Sequence, residues 1–362
     1  MIKVLVVDDS ALVRKLFSRV LSEGSDFQVQ VARNGIEALA QLEAFGPDVI
    51  TLDVQMPQMD GLQCLDRIMV QRPCPVVMVS AVTAEGAAAT LEALRLGAVD
   101  FVSKPSGAVS LRMQEFGPTL KEKVRTAAAA RLPATHRLRE RVQFRSGGAV
   151  APRRAKPVAE TVDDRALPAS GNGLVLVGTS TGGPPALEAL LTPLPSSFPW
   201  PILIAQHIPA GFTGPLAKRL AGLCALRVLE VTQPTCLEDG CVYIGRGDAD
   251  LVISRRPSGL VAMTVPSDPD YPWHPSTDRL VRSAMQYFPA TQLVGVLMTG
   301  MGNDGAEALA MLHAKGGATI AEAEETAVVW GMPGELVRMG GAAHVLPLPS
   351  IAHRLQKLVP CR

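Results

Sequence analysis

The chain has 362 residues, 47% of them hydrophobic and 19% charged, which excludes wholesale disorder and suits two α/β domains, because one core seldom organises more than about 250–300 residues. Thirty-five Lys and Arg against 34 Asp and Glu leave a net charge of +1, too little for a global field that would hold nucleic acid or an anionic membrane. Six cysteines without a C-x-x-C pair read as reduced thiols of a cytoplasmic protein, not as disulfides or structural zinc. In chain order, the apolar runs 2–7, 28–32, 48–52, 76–79 and 98–102 alternate with amphipathic helical stretches. Such a fivefold β/α repeat predicts a parallel sheet covered on both faces. Asp8 and Asp9 end the first run too early for a secretory signal. Residues 131–170 carry nine Lys/Arg against four Asp/Glu and one aromatic, Phe144, and read as a solvated linker, not a nucleic-acid surface. A second series follows at 174–177, 202–205, 227–231, 242–244, 251–254 and 293–298. Within it, runs 250–254 and 260–264 flank Arg-Arg-Pro-Ser-Gly, which predicts an antiparallel hairpin at the edge of an otherwise parallel sheet. Residues 189–217 are free of formal charge, yet their six prolines exclude a membrane-spanning helix.

In parallel sheets ligands gather at the carboxyl ends of the strands. Asp8 and Asp9 follow the first strand and Asp53 the third, so three carboxylates share one rim. They repel unless a cation joins them, and an all-oxygen set of this kind suits Mg²⁺. Ser80 ends the fourth strand and Lys104 follows the fifth, adding a hydroxyl and an ammonium fit for a phosphoryl group. Any one aspartate could be a helix cap or turn former. Five such residues at the ends of four strands in matching order point instead to a phosphoryl site.

Residues 1–125 resemble the response-regulator receiver domains of two-component signalling. The resemblance implies a flavodoxin-like five-stranded fold and Asp53 as phosphate acceptor. It further implies Mg²⁺ held by Asp8, Asp9, Asp53 and the backbone carbonyl of Gln55, with Ser80 and Lys104 contacting the phosphoryl group and Phe101 as the aromatic switch.

After the strand at 174–177 the chain reads Gly178-Thr179-Ser180-Thr181-Gly182-Gly183-Pro184-Pro185 and then turns helical. Strand, Gly-x-Ser-x-Gly and helix are the parts of a nucleophile elbow, in which the N–H of the residue after the serine can stabilise an oxyanion. The same turn could also cradle phosphate or cap a helix. Among six histidines, His136 falls in the linker, while His313 and His353 lie in helical patterns. His207, one strand and crossover after Ser180, is the strongest general base. Asp304, in Thr299-Gly300-Met301-Gly302-Asn303-Asp304-Gly305 after the strand at 293–298, is the acid that orients it.

Residues 171–362 resemble the catalytic domain of the chemotaxis protein-glutamate methylesterases. The likeness lies in Gly-Thr-Ser-Thr-Gly-Gly, Gln-His-Ile-Pro-Ala-Gly-Phe, His-Pro-Ser-Thr-Asp-Arg-Leu, Leu-Met-Thr-Gly-Met-Gly-Asn-Asp-Gly and Trp-Gly-Met-Pro. It implies Ser180 as nucleophile, His207 as base, Asp304 as orienting acid, and amides near Thr181 and Met301 as oxyanion donors, with no cofactor in this domain. The implied substrate is the glutamyl methyl ester of chemoreceptor cytoplasmic domains, with deamidation of receptor glutamines open to the same acyl-enzyme chemistry. A cognate chemotaxis histidine kinase would supply the phosphate, and no nucleic acid or membrane insertion is involved. Two departures from the family pattern are Gly245-Arg246-Gly247 in place of Ala-Pro-Gly and Glu322-Ala323-Glu324 in place of Gln-Asp-Glu.

The whole is an α/β chain: receiver 1–125, linker 126–170 and a doubly wound, mostly parallel catalytic domain 171–362 with an antiparallel hairpin. A flexible linker of about 40 residues spans roughly 35 Å, enough for the receiver to reach the catalytic rim. Two rivals make different demands. A DNA-binding response regulator needs a compact basic helix-turn-helix, which is not evident after residue 170. A general α/β-hydrolase would use His344, after Asp304, as its base.

Overall fold

The computed structural model describes residues 1–81, 83–104, 109–132 and 173–359, with the side chains of 84 and 109–115 excluded. In the first domain β1 (Ile2–Val7), β2 (Phe27–Ala32), β3 (Val49–Asp53), β4 (Val76–Ser80) and β5 (Asp100–Ser103) pair in the order β2-β1-β3-β4-β5. Every pairing is parallel. Five helices connect and cover them: α1 (Ala11–Ser22), α2 (Gly35–Ala44), α3 (Gly61–Gln71), α4 (Ala84–Leu96) and α5 (Val109–Ala128). Ser10, Asn34, Asp60 and Thr83 cap the first four by accepting a backbone N–H three residues on, which fixes where each helix starts after its strand. Both faces of β1, β3, β4 and β5 are therefore largely buried, as their apolar runs require, while edge strand β2 stays exposed at Gln28, Gln30 and Val31. Helix α5 runs through Ala128, past the boundary expected at 125. Residues 133–170 of the expected linker lie outside the described residues.

The second domain carries β6 (Leu174–Thr179), β7 (Ile202–Gln206), β8 (Arg227–Val231), β10 (Cys241–Gly245), β13 (Leu293–Leu297), β14 (Ala318–Glu322) and β15 (His344–Leu346). They form a seven-stranded sheet in the order β15-β14-β13-β6-β7-β10-β8, parallel at every pairing. The chain winds outward from β6 through β7 and later returns to the other side of β6 as β13. Between β6 and β13 lies the switch point at which such sheets open a crevice.

The antiparallel hairpin is present, but not as an edge of this sheet. Strands β11 (Ala249–Arg256) and β12 (Gly259–Pro266) pair with β9 (Thr235–Cys236) in a separate three-stranded sheet. Asp248, in left-handed conformation (φ 61°), turns the chain away from β10 just before β11. Leu251 and Ile253 then bury against Leu280, Val281 and Ala284 of α8 (Thr277–Ala284), where Ser283 Oγ accepts the Ile253 N–H at 3.0 Å. The remaining helices are α6 (Gly183–Leu191), α7 (Ala210–Ala221), α9 (Ala306–Ala314), α10 (Met332–Arg338) and α11 (Leu348–Leu358). No helix among the described residues is long and apolar enough to cross a membrane.

The two domains share one continuous apolar cluster. Phe101 of β5 packs on Phe212 of α7 with ring centroids 4.3 Å apart, and Lys123 of α5 lies 5.3 Å from the Phe101 ring centroid. Around this contact, Arg219 of α7 pairs with Glu92 of α4 at 3.3 Å and with Glu188 of α6 at 2.5 Å. Beyond α5, Arg131 donates its N–H to Val328 O and pairs with Glu324 at 2.7 Å.

Candidate functional site

At the receiver rim, carboxylate oxygens of Asp8, Asp9 and Asp53 lie within 4.8 Å of one another. Lys104 Nζ reaches Asp53 Oδ2 at 2.7 Å and Asp8 Oδ2 at 3.1 Å. Asp8 Oδ2 is buried and, despite that ion pair, accepts no well-aligned hydrogen bond. Burial, with the Asp8 charge, pushes the Asp53 carboxyl up to about 6 against the opposing bond and charge of Lys104. A single ammonium thus leaves the acidic rim short of positive charge. A buried oxygen answered only by that shared ammonium, within an all-oxygen donor set, fits a hard divalent cation. The Gln55 N–H points at Asp53 Oδ1 from 3.4 Å. The Ser80 hydroxyl does not join this group: it donates to Gly86 O at 3.1 Å and Ala81 O at 3.2 Å.

At the catalytic rim, Ser180 leaves β6 at the switch point, and Gly182 (φ 79°) and Gly183 carry the chain from the serine into α6. Thr299, which follows β13, holds this elbow from beneath. Its carbonyl accepts the Ser180 N–H at 3.0 Å and the Thr179 hydroxyl at 2.9 Å. Its own hydroxyl donates to Thr181 O at 2.9 Å. Thr299 is in turn held by Glu322 at the end of β14, a fully buried carboxylate that accepts the Thr299 N–H at 2.8 Å and the Thr326 hydroxyl at 3.0 Å. Burial raises the pKa of Glu322 against these two bonds.

His207 follows β7, and its Nε2 lies 2.8 Å from Asp304 Oδ2. Asp304 also accepts the Ser276 hydroxyl at 2.9 Å, the Thr277 N–H at 2.6 Å and the Asp278 N–H at 3.2 Å. Burial alone would raise its pKa, but the His207 bond and charge and these N–H groups hold it below the ordinary value. A carboxylate so supplied with donors stays ionised and fixes the imidazole with Nε2 as its N–H. The other ring nitrogen, Nδ1, is buried and has no partner among the described residues. Ser180 makes no side-chain hydrogen bond among the described residues, so the acid–base leg is assembled and the nucleophile leg is open. The Thr181 and Met301 N–H groups likewise donate to no acceptor among the described residues. Trp273 lies nearly parallel to the His207 ring, with centroids 6.2 Å apart.

The donors from residues 276–278 belong to α8 and its cap, which no strand-end pattern reveals. The Ser276 N-cap was visible only as part of the His-Pro-Ser-Thr-Asp-Arg-Leu motif. His344, the base of the rival hydrolase reading, sits on edge strand β15 with its Nε2 2.9 Å from Arg354, apart from Ser180. The receiver closes the site. Asp100 Oδ2 accepts the Thr181 hydroxyl at 2.5 Å, and Thr126 of α5 touches Met301 Sδ at 3.9 Å.

Residues 175–355 match the family model described as CheB methylesterase, and residues 4–114 match that of the response regulator receiver domain. A protein-glutamate methylesterase/protein-glutamine glutaminase 2 of Rhodopseudomonas palustris is 56% identical over 353 residues, 97% of this chain and 96% of that protein. A protein-glutamate methylesterase/protein-glutamine glutaminase 3 of Rhodospirillum rubrum is 50% identical over 98% of this chain and 95% of its own. The crystal structure of the Thermotoga maritima CheB methylesterase catalytic domain superposes with a TM-score of 0.50 at 36% identity, covering 52% of this chain and all of that one. The chain therefore belongs to the CheB family of receiver-bearing protein-glutamate methylesterases/protein-glutamine glutaminases.

Proposed function

We propose that this chain hydrolyses glutamyl methyl esters, and deamidates glutamines, on the cytoplasmic domains of chemoreceptors, under control of phosphate received from a chemotaxis histidine kinase. The observation that carries this reading is the His207–Asp304 pair beside Ser180, with two unpartnered N–H groups and the receiver seated over them. Ser180 Oγ attacks the ester carbonyl while His207 Nδ1 takes its proton, and Nε2–H stays on Asp304. The oxyanion is received by the Thr181 and Met301 N–H groups. Collapse returns the proton to the leaving methoxide, which departs as methanol, or to the amine as ammonia when the substrate is a glutamine. Water, deprotonated by the same nitrogen, then frees the glutamate and restores Ser180.

In the receiver, Asp53 is the phosphate acceptor. Asp8, Asp9, Asp53 and the Gln55 carbonyl would hold Mg²⁺, whose charge offsets that of the incoming phosphoryl oxygens. Lys104 moves from carboxylate to phosphoryl oxygen, and Ser80 must turn away from Gly86 O to join it. Both movements pull on the ends of β4 and β5, and β5 carries Asp100 and Phe101, which hold the receiver on the catalytic rim. The receiver ends with α5 at Ala128, the catalytic domain runs from about residue 171 to 362, the reactions are cytoplasmic, and neither membrane insertion nor nucleic acid takes part. Methanol released from methylated receptor membranes, with and without a small phosphodonor, tests the reading. Wild type should respond to the donor, and Ser180→Ala should release none above background. Undiminished release by Ser180→Ala would overturn it.

A further inference from the structure

Three threonine hydroxyls surround the nucleophile, and two are satisfied within the catalytic domain. Thr179 Oγ1 donates to Thr299 O, and Thr299 Oγ1 donates to Thr181 O. The third, Thr181 Oγ1, donates only to Asp100 Oδ2 of the receiver, among the described residues. Both partners are buried, at 5% and 7% relative exposure. The Asp100 carboxylate is divided in its loyalties. Its Oδ1 is held inside the receiver by Lys123 Nζ at 2.7 Å and the Phe101 N–H at 2.6 Å. Its Oδ2 is presented outward to Thr181. When the receiver lifts, Thr181 is left with a hydroxyl donor that nothing in its own domain answers, on the residue that follows the nucleophile.

The reaction proposed above supplies what that donor lacks. Its product is a glutamate carboxylate formed against Ser180, the same functional group as Asp100 with one more methylene. We infer that the Thr181 hydroxyl is a binding group for the glutamyl carboxyl of substrate and product, and that Asp100 occupies its place when the receiver is docked. This rests on the Ser180 reading. The receiver then excludes substrate by competing for a donor as well as by covering the cleft. A buried hydrogen bond to a charged group is worth roughly tenfold or more in binding, so both docking and product affinity depend on this one hydroxyl. Thr181 has two separable parts: its N–H faces the oxyanion, and its Oγ1 faces the carboxyl that forms.

The test uses the full-length chain and N-acetylglutamate N-methylamide as a product probe. Inhibition of turnover of the corresponding γ-methyl ester is measured in wild type, Thr181→Ser, Thr181→Val and Asp100→Asn. Asp100→Asn should bind the probe several-fold more tightly than wild type, because the competing carboxylate is gone. In the Asp100→Asn background, where the competing bond is already gone, Thr181→Val should weaken the probe about tenfold, and Thr181→Ser should restore it. Adding Asp100→Asn to Thr181→Val should bring no further tightening, since the two residues act through one bond. Unchanged probe affinity on adding Thr181→Val to Asp100→Asn would overturn the inference. Should Thr181→Val not fold, Thr181→Ala takes its place in the same comparison, because uncovering of the cleft alone could produce the tightening in Asp100→Asn. Calorimetric binding of the probe to Ser180→Ala separates the two readings. An inactive Ser180→Ala that binds the probe through Thr181 supports both, an active one refutes the nucleophile, and an inactive one whose probe affinity ignores Thr181→Val in the Asp100→Asn background refutes only the carboxyl site.

Discussion

Asp53 and Asp304 are both buried carboxylates at strand-end rims of parallel sheets, and burial raises the pKa of each, yet their partners drive the net shifts in opposite directions. Burial, with the Asp8 charge beside it, raises the Asp53 pKa to about 6 against the one ammonium, Lys104, that reaches it. Asp304 has His207, the Ser276 hydroxyl and two backbone N–H groups directed at it, and its pKa falls. Burial magnifies whatever partners the fold supplies. A rim crowded with like charge is short of cations and suits a transient, highly charged adduct. A rim crowded with donors holds one anion permanently and suits a fixed catalytic geometry.

The strongest way to break this contrast is to remove the nucleophile from the donor-rich rim. Ser180→Ala should lower kcat by on the order of 10⁶, as for other triads deprived of their nucleophile, whereas Asp53→Asn should leave unphosphorylated turnover where it was. A comparable loss in both would mean that the two rims are not chemically separate. Asp304→Asn comes next: with its anion gone, the imidazole loses its fixed tautomer, and kcat should drop by about 10⁴ while the fold, judged by circular dichroism, persists. A loss of tenfold or less would show that the donors around Asp304 serve structure alone. A fragment starting near Gly171 should outpace the unphosphorylated full chain on methylated receptors by about 5–150-fold, the span of common couplings. A folded fragment that is no faster would mean that the receiver acts by some route other than cover.

The smallest effect concerns Glu322, the buried carboxylate beneath Thr299. Its folded pKa lies above the unfolded value, so the stability it contributes is present below the ordinary carboxylate range and is lost as pH rises through the folded pKa. Glu322→Gln should therefore raise the melting temperature of the catalytic domain near pH 8, by about 2–4 °C for each kcal/mol regained, and should do little near pH 4. An equal shift at both pH values would place the effect in packing, not charge.

Much of this was legible before any coordinates. Asp8, Asp9, Asp53 and Lys104 stand at strand ends, and parallel pairing leaves them only one rim to share. Ser180, His207 and Asp304 follow three strands that the fold makes adjacent, β6, β7 and β13. What escaped depends on long-range packing. Ser276, Thr277 and Asp278 reach Asp304 through a helix that no strand-end rule positions. Strands β14 and β15 leave little mark in the sequence, because short runs such as Ala318–Glu322 carry little periodicity. The hairpin was foreseen, but not its departure into a separate sheet, which hinges on one left-handed residue, Asp248. Asp100 reads in sequence as an ordinary strand residue before Phe101, and its bond to Thr181 exists only because two domains meet.

The elbow also limits what substitution can do to this enzyme. A methyl on Gly183 would lie 2.0 Å from Gln206 Oε1, and one on Gly300 would lie 2.4 Å from Met332 Sδ and 2.8 Å from the Ser180 Cβ. The serine is positioned as much by the side chains its neighbours lack as by the bonds it makes. Gradual drift at these two positions is closed off, since even alanine would collide at Gly183 with Gln206, whose Nε2 donates to Ser180 O, and at Gly300 with Ser180 itself. Variation among functional descendants should therefore collect at the exposed rim, around Arg246 for example, while the floor beneath Ser180 stays fixed.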